Sequence, residues 1–181
     1  MSLSSASEES TGGRPLSRRQ LLAAGAAGAT SVAVAGTDAA EAGGAGYPRL
    51  RIIQLSKLRK NKSIKFNYPL EKQPNVLIDF DRAVPGGVGP DRSIVAYSRL
   101  CQHMGCEVAY NQFARELDCP CHQTRYDPER RGSIIQGVAM QPLPRVLLQV
   151  LRGAVWAVGV DGLIYGYRSN LTPGERVGGA K

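Results

Sequence analysis

All the cysteine and histidine residues of this 181-residue chain lie between positions 101 and 122, where the sequence reads CQHMGC and, further on, CPCH. They are Cys101, His103, Cys106, Cys119, Cys121 and His122. Thiolate and imidazole are ligands of iron, zinc and copper. Since none of these residues lies elsewhere in the chain, their clustering predicts a metal centre.

The spacing divides these residues into two short segments that each contain a C-x-H or a C-x-x-H pair. Cys101 and His103 form the first pair, and Cys119 and His122 form the second. Two thiolates on one iron and two imidazoles on the other are the ligands of a Rieske [2Fe–2S] cluster. We therefore predict that these four residues bind one such cluster.

Three other kinds of site fit part of the pattern. A structural zinc site would use four of the six residues in a tetrahedron, but the common C-x₂-C pair is absent. A framework of disulfides alone suits an exported protein, yet it would leave both histidines unexplained. A catalytic Cys–His pair would lack a third group to orient it. A zinc-stabilised binding module remains as an alternative.

The two remaining cysteines, Cys106 and Cys121, lie next to the predicted ligands, one in each segment. If the two segments converge on one cluster, these thiols are well placed to form a disulfide, which persists in an oxidising compartment. The alternative is a pair of free buried thiols. We predict the disulfide, which would hold the two segments together.

The elements that must position these ligands are short strands rich in β-branched residues and bounded by Gly, Pro, Asn or Asp. They are RLRIIQL (49–55), SIKFNYP (63–69), NVLIDFD (75–81), SIVAYS (93–98), EVAY (107–110), RELDC (115–119), SIIQ (133–136), VLLQVL (146–151) and AVWAVGV (154–160). No strong helical period follows residue 46. The pattern predicts an all-β fold, an antiparallel β sandwich or barrel with a cluster-binding subdomain of two loops.

The N-terminal segment has the features of an export signal. SRRQLL (17–22) precedes the apolar stretch AAGAAGATSVAVAG (23–36), and AEA (40–42) supplies small residues for cleavage. The apolar stretch is shorter than the roughly 20 residues that span a bilayer as a helix. The arginine pair resembles the twin-arginine signal, which carries folded proteins. We predict a signal over 1–42, a cluster domain over 43–171 and a C-terminal tail over 172–181, with a periplasmic location and at most weak membrane association through a retained signal.

The formal net charge is +8, but no nucleic-acid-binding motif accompanies it. The one dense basic run is KLRKNKSIK (57–65), which we interpret as a solvated loop. A basic surface of this kind can steer a protein partner, and no nucleic-acid partner is expected.

The ligand segments resemble those of the high-potential Rieske proteins of respiratory complexes, which read C-x-H-x-G-C and C-P-C-H. By this resemblance Thr124 and Tyr126, in HQTRYD, take the places of a hydroxyl residue and a tyrosine that hydrogen-bond to the sulfurs of the cluster. GVAMQPLP (137–144) resembles the proline-containing loop that covers the cluster.

The resemblance is stronger to the small subunit of arsenite oxidase. It rests on GGVGP (86–90), the HMGC form of the first segment, YDPERRG (126–132) and VDGLIYGYRSNL (160–171). The last of these motifs has no role in binding metal, so it does not follow from the cluster chemistry alone.

This resemblance implies an electron-transfer subunit of an oxidoreductase, with no catalytic residues of its own. Its partner would be a large molybdopterin-containing subunit that oxidises arsenite to arsenate, and its electron acceptor a cytochrome c or an azurin-like copper protein. The alternative within the same family is the Rieske subunit of a quinol-oxidising cytochrome complex. Such subunits carry a membrane span and a hinge, and the sequence shows neither clearly.

Overall fold

The computed structural model describes residues 46–172, which form ten β-strands and two 3-10 turns. The strands are β1 (Leu50–Gln54), β2 (Ser63–Asn67), β3 (Pro74–Asp79), β4 (Ile94–Ser98), β5 (Ala109–Asn111), β6 (Glu116–Asp118), β7 (Arg125–Asp127), β8 (Ser133–Gln136), β9 (Arg145–Leu151) and β10 (Ala154–Asp161). The 3-10 turns are Leu55–Lys57 and Pro128–Arg130. The all-β prediction is confirmed.

The strands form a large and a small antiparallel sheet. The large sheet has the order β1-β10-β9-β4-β3-β2, and the small sheet has the order β5-β6-β7-β8. The small sheet lies in the chain between β4 and β9, which are neighbours in the large sheet and pair at Tyr97 and Arg145. The chain therefore leaves the large sheet, builds the small one and returns beside the place where it left.

The central strands β3 and β4 are buried on both faces, which explains their nearly continuous apolar sequences. Val76 and Ile78 pack in a core shared with the small sheet. Leu77 and Ala96 point to the opposite face and pack with residues of β9 and β10. Because side chains alternate along a strand, these two strands connect both cores.

The sequence did not predict β7. This strand has three residues, and only its central Tyr126 is buried, between two charged neighbours. Three residues with one buried side chain are too few to show the alternation of apolar and polar residues that marks a strand. The strand is defined instead by its pairing with β6 and β8. All the strands that the sequence did predict are present, with bounds that differ by a few residues.

The basic run at 57–65 is partly an exposed loop, as predicted, and partly the beginning of β2. Two of its lysines make specific contacts. Lys60 forms ion pairs with Asp79 (3.1 Å) and Asp91 (2.8 Å), and Lys62 contacts the side chain of Gln112 at the tip of the β5–β6 hairpin. The run therefore helps to join the two sheets.

The predicted signal over 1–42 lies outside the described residues, as does all but Thr172 of the predicted tail. Among residues 46–172 there is no helix that could serve as a membrane span.

Candidate metal centre

Three loops meet at one end of the small sheet. We call residues 99–108, between β4 and β5, loop 1, and residues 119–124, between β6 and β7, loop 2. Antiparallel pairing of Ala109 with Asp118 places the end of loop 1 beside the start of loop 2. Residues 137–144, the proline loop, follow β8 at the same end, because Arg125 pairs with Gln136.

Cys101 and Cys119 bring two free thiols together inside this end of the molecule. They are 1% and 3% exposed, and both lie in the apolar core that the two sheets share. Burial raises the pKa of the Cys119 thiol, and the contact with Cys101 adds to the increase. The backbone N–H groups of Cys121 and His122 oppose this increase in pKa, because they donate to the Cys119 sulfur and stabilise negative charge there.

His103 and His122 lie on the solvent side of the two thiols. Their Nδ1 atoms face each other at 3.2 Å, and the ring centroids are 4.6 Å apart. The ring of His122 is exposed, and that of His103 is partly exposed. The loops thus separate the donors into a buried sulfur pair and an accessible nitrogen pair.

A disulfide joins Cys106 of loop 1 to Cys121 of loop 2, which is the pairing predicted from the sequence. Its two sulfur atoms and the Cys119 sulfur all lie within 4.8 Å of one another. Because these two cysteines are already bonded to each other, they cannot act as thiolate ligands. The disulfide therefore lies directly beside the donor set without belonging to it.

Tyr126 lies under loop 1 and is fully buried. Its hydroxyl oxygen is 3.2 Å from the Cys101 sulfur and accepts a hydrogen bond from the Gln102 N–H at 3.1 Å. Burial, followed by the contact with Cys101, raises the pKa of Tyr126 well above its ordinary value. The hydroxyl therefore keeps its proton and can donate it to sulfur, as the resemblance implied.

Thr124 is also buried, but the structure shows its hydroxyl in contact with the proline loop. Its Oγ1 atom accepts a hydrogen bond from the Val138 N–H at 3.2 Å. The approach is close because residue 137 is glycine, with φ +109°, and a Cβ there would lie 2.6 Å from Oγ1. The oxygen that accepts from Val138 still has its own proton to donate.

This donor set fits a [2Fe–2S] cluster of the Rieske kind better than a single tetrahedral ion. The four donors come as a sulfur pair and a nitrogen pair at different depths, which matches two irons with different ligands. Cys101 and Cys119 are both free cysteines, so neither sulfur is held in a disulfide.

Comparisons with known proteins agree with this geometry. Residues 51–148 match the family described as the Rieske [2Fe-2S] domain. The chain belongs to the Rieske family. It is 39% identical to the iodate reductase subunit IdrB of Denitromonas iodatirespirans over 160 residues, which is 86% of each chain. It is 38% identical to IdrB of Pseudomonas sp. (strain SCT), over 69% of this chain and 67% of that one.

Among solved structures, the Rieske domain resembles the soluble domain of Rieske protein II (soxF) from Sulfolobus acidocaldarius. The TM-score is 0.61 at 25% identity, and the match covers 71% of this chain and 85% of that chain. This similarity confirms the fold class.

The cofactor of this Rieske chain is a [2Fe–2S] cluster, which transfers one electron at a time. With two ferric ions, two sulfides, two thiolates and two neutral imidazoles, the oxidised cluster is electrically neutral. A cluster with four thiolates would be negatively charged, so it would accept an electron less readily. The expected reduction potential of Rieske clusters is roughly −150 to +300 mV.

One contact at this site was not predicted from the sequence. The ring of Tyr165, in the loop that follows β10, lies against Gly105 of loop 1. The motif around Tyr165 was recognised, but the contact joins residues 60 positions apart. Only the glycine in CQHMGC gave a local sign that a neighbour approaches closely.

Proposed function

We propose that Cys101 and Cys119 bind one iron of the cluster and that His103 and His122 bind the other. Hydrogen bonds from Tyr126, Thr124 and the backbone N–H groups around Cys119 would stabilise negative charge on the sulfurs. Such hydrogen bonds raise the reduction potential, which favours the upper part of the Rieske range.

We further propose that electrons enter and leave at the histidine side of the cluster. The observation that carries the function is the orientation of the donor set, with thiols buried and imidazoles accessible. Met104 (61% exposed) and Met140 (91% exposed) lie on the surrounding loops. Exposed apolar side chains beside a redox centre suit a docking surface for another protein.

The chain is proposed to be the electron-transfer subunit of a larger oxidoreductase. All its cysteines and histidines are used at one site, so the sequence has no second Cys/His ligand set for the chemistry of a substrate. A subunit that carries one electron at a time must then exchange electrons with a second centre that takes up or releases several electrons. By resemblance that centre is in a large molybdopterin-containing subunit.

Two reactions are candidates for this complex. The motifs at 86–90, 126–132 and 160–171 favour the oxidation of arsenite, with electrons passing to a cytochrome c or an azurin-like protein in the periplasm. The relatives that match most of the chain are named as iodate reductase subunits, which favours electron flow in the opposite direction, towards iodate. In both reactions the chain would serve the same role.

The test is an assay of the full complex, purified from its own organism with the partner subunit. Arsenite with an oxidised cytochrome c and iodate with a reduced electron donor are supplied separately, and reduction or oxidation of the Rieske cluster is followed by electron paramagnetic resonance (EPR). We expect one of these two pairs of reactants to reduce and reoxidise the cluster repeatedly. We expect the His103→Ser variant to lose this turnover. Turnover at the wild-type rate in a complex that lacks the cluster would contradict the proposed role.

A further inference from the structure

The loop that follows β10, residues 162–170, belongs to a sequence motif to which electron transfer assigns no role. We call it the C-terminal loop. It lies beside loop 1 and, with Met140 of the proline loop, lines a cavity of about 520 Å³ that His103 also borders. The structure shows how this loop is fixed at its base and what its apex contacts.

The base of the C-terminal loop is held by Asn170, which is 7% exposed. Its Oδ1 atom accepts a hydrogen bond from the Ile164 N–H (2.9 Å), and its Nδ2 group donates to the Gly162 carbonyl (2.8 Å) and the Tyr47 hydroxyl (3.0 Å). Gln73, which is fully buried, donates to the Asn170 carbonyl at 3.1 Å. Buried and satisfied hydrogen bonds of this kind fix a single loop conformation.

The apex of the loop places the ring of Tyr165 on Gly105. A Cβ atom at Gly105 would lie 2.7 Å from Tyr165 Cδ1, so any larger residue there would displace the ring. Gly105 has φ +73° and donates its N–H to the Cys101 carbonyl at 2.8 Å. The ring therefore covers the turn between Cys101 and Cys106, which carries His103.

We propose that Tyr165 is a positioning residue for the metal centre. Its ring restricts loop 1 to the conformation that directs His103 towards the cluster, and Asn170 fixes Tyr165 in place. This inference rests on the proposed ligand set. A glycine turn at the surface loses much conformational freedom on ordering, and packing by a ring that is itself anchored offsets part of that loss. Side chains that bind a ligand hold their geometry more accurately when the residues packed behind them are fixed in place.

The test compares Tyr165→Ala with Tyr165→Phe in the full chain with its cluster. Leu163→Ala is the matched control, since Leu163 lies on the same loop and is 51% exposed. Hydrogen exchange is measured at two backbone amides. In loop 1 the N–H of Gly105 donates to the carbonyl of Cys101, and in loop 2 the N–H of Cys119 donates to the carbonyl of Thr124. The EPR spectrum and the reduction potential are recorded on the same samples.

We expect Tyr165→Ala to accelerate exchange in loop 1 several-fold, to leave loop 2 unchanged, and to broaden the EPR spectrum and shift the potential. Tyr165→Phe keeps the ring and should resemble the wild type, as should Leu163→Ala. Asn170→Ala, which removes the anchor, should reproduce the loop 1 effect if the variant folds.

Unchanged loop 1 exchange and an unchanged EPR spectrum in Tyr165→Ala would overturn the proposal. Equal acceleration in loop 1, loop 2 and the large sheet would also overturn it, because the ring would then serve general stability. Neither measurement needs a partner or a substrate. A failure of the proposed reaction is therefore distinguishable from a failure of this inference.

Discussion

The large and small sheets of the Rieske domain differ in the length of their strands and in the interactions that hold them. Strands of the large sheet have five to eight residues, whereas β5, β6 and β7 have three and β8 has four. Short strands bury little apolar surface and are rarely stable alone. The large sheet can thus depend on its apolar core, while the small sheet needs additional links.

Some of those links, such as the contact of Lys62 with Gln112, lie at the β5–β6 hairpin, and others lie at the cluster end of the small sheet. The disulfide joins loop 1 to loop 2, Tyr126 joins β7 to loop 1, and Thr124 joins loop 2 to the proline loop. The cluster itself would add bonds from both loops to the same irons. We therefore expect changes at this end to alter the cluster with little effect on the large sheet, and changes in the large sheet to do the reverse.

The largest effect is expected from His103→Ser or His122→Ser. Serine cannot supply an imidazole nitrogen, so the Rieske cluster should be lost completely while the large sheet stays folded. EPR of the reduced protein and circular dichroism measure the two outcomes. Gln102→Ser is the control, because it changes a neighbouring side chain and keeps the backbone N–H that donates to Tyr126. A normal Rieske spectrum in either histidine variant would remove that residue from the ligand set.

The opposite result is expected from Leu77→Ala in the large sheet. Leu77 is fully buried in the core on the far side of β3 from the small sheet. Loss of its side chain should lower the free energy of unfolding by about 2–5 kcal/mol. Leu151→Ala, at a position that is 40% exposed, should cost much less. The reduction potential should not change in either variant, and a shift with Leu77→Ala would mean that the two sheets are coupled.

A more moderate effect is expected when Cys106 and Cys121 are both replaced by serine. The disulfide closes a segment with a sequence separation of 15 residues. In the chain-entropy account, a disulfide across such a loop contributes about 3 kcal/mol. The cluster should still assemble, because neither sulfur is a ligand, but it should be lost faster on warming, as followed by its visible absorbance. Failure to incorporate iron under mild conditions would indicate that one of the two is a ligand.

The two sheets also differ in how well the sequence predicts them. Strands of the large sheet have enough β-branched residues to be recognised, and β3 and β4 read as nearly continuous apolar runs because both faces are buried. The small sheet is defined mostly by pairing, and β7 has one buried residue, Tyr126. Local sequence does not specify a strand whose partners provide most of its stability.

At the metal centre, residue type and spacing predict the donors because a C-x-H pair and a C-x-x-H pair supply the two thiols and two imidazoles of a Rieske cluster, whereas the C-x₂-C pair that is common in zinc sites is absent. The contacts around the donors depend on distant segments. The hydrogen bond from Val138 to Thr124 joins the proline loop to loop 2, and the packing of Tyr165 on Gly105 joins the C-terminal loop to loop 1, so both arise only when these four loops meet. The glycines at 105 and 137 mark these close approaches but do not identify the neighbour.

The smallest effect is expected from Tyr126→Phe, which removes one hydroxyl from the cluster end. This hydroxyl lies 3.2 Å from the Cys101 sulfur, and its donated proton would stabilise the extra negative charge of the reduced cluster. A hydrogen bond to a charged group is worth about 1.5 kcal/mol. For one electron, about 1.4 kcal/mol corresponds to about 59 mV. The potential should therefore fall by several tens of millivolts, with iron content and folding unchanged.

Protein-film voltammetry at neutral pH measures this shift, and Tyr97→Phe is the matched control. Tyr97 is equally buried, but its hydroxyl donates to the Pro128 carbonyl at 2.8 Å and to no sulfur. Its replacement removes a buried tyrosine hydrogen bond that does not involve the donor set, so it should lower stability without changing the reduction potential. If both variants leave the potential unmoved, the Tyr126 hydroxyl does not donate to the cluster. The tuning would then come from Thr124 and from the backbone N–H groups that point at Cys119.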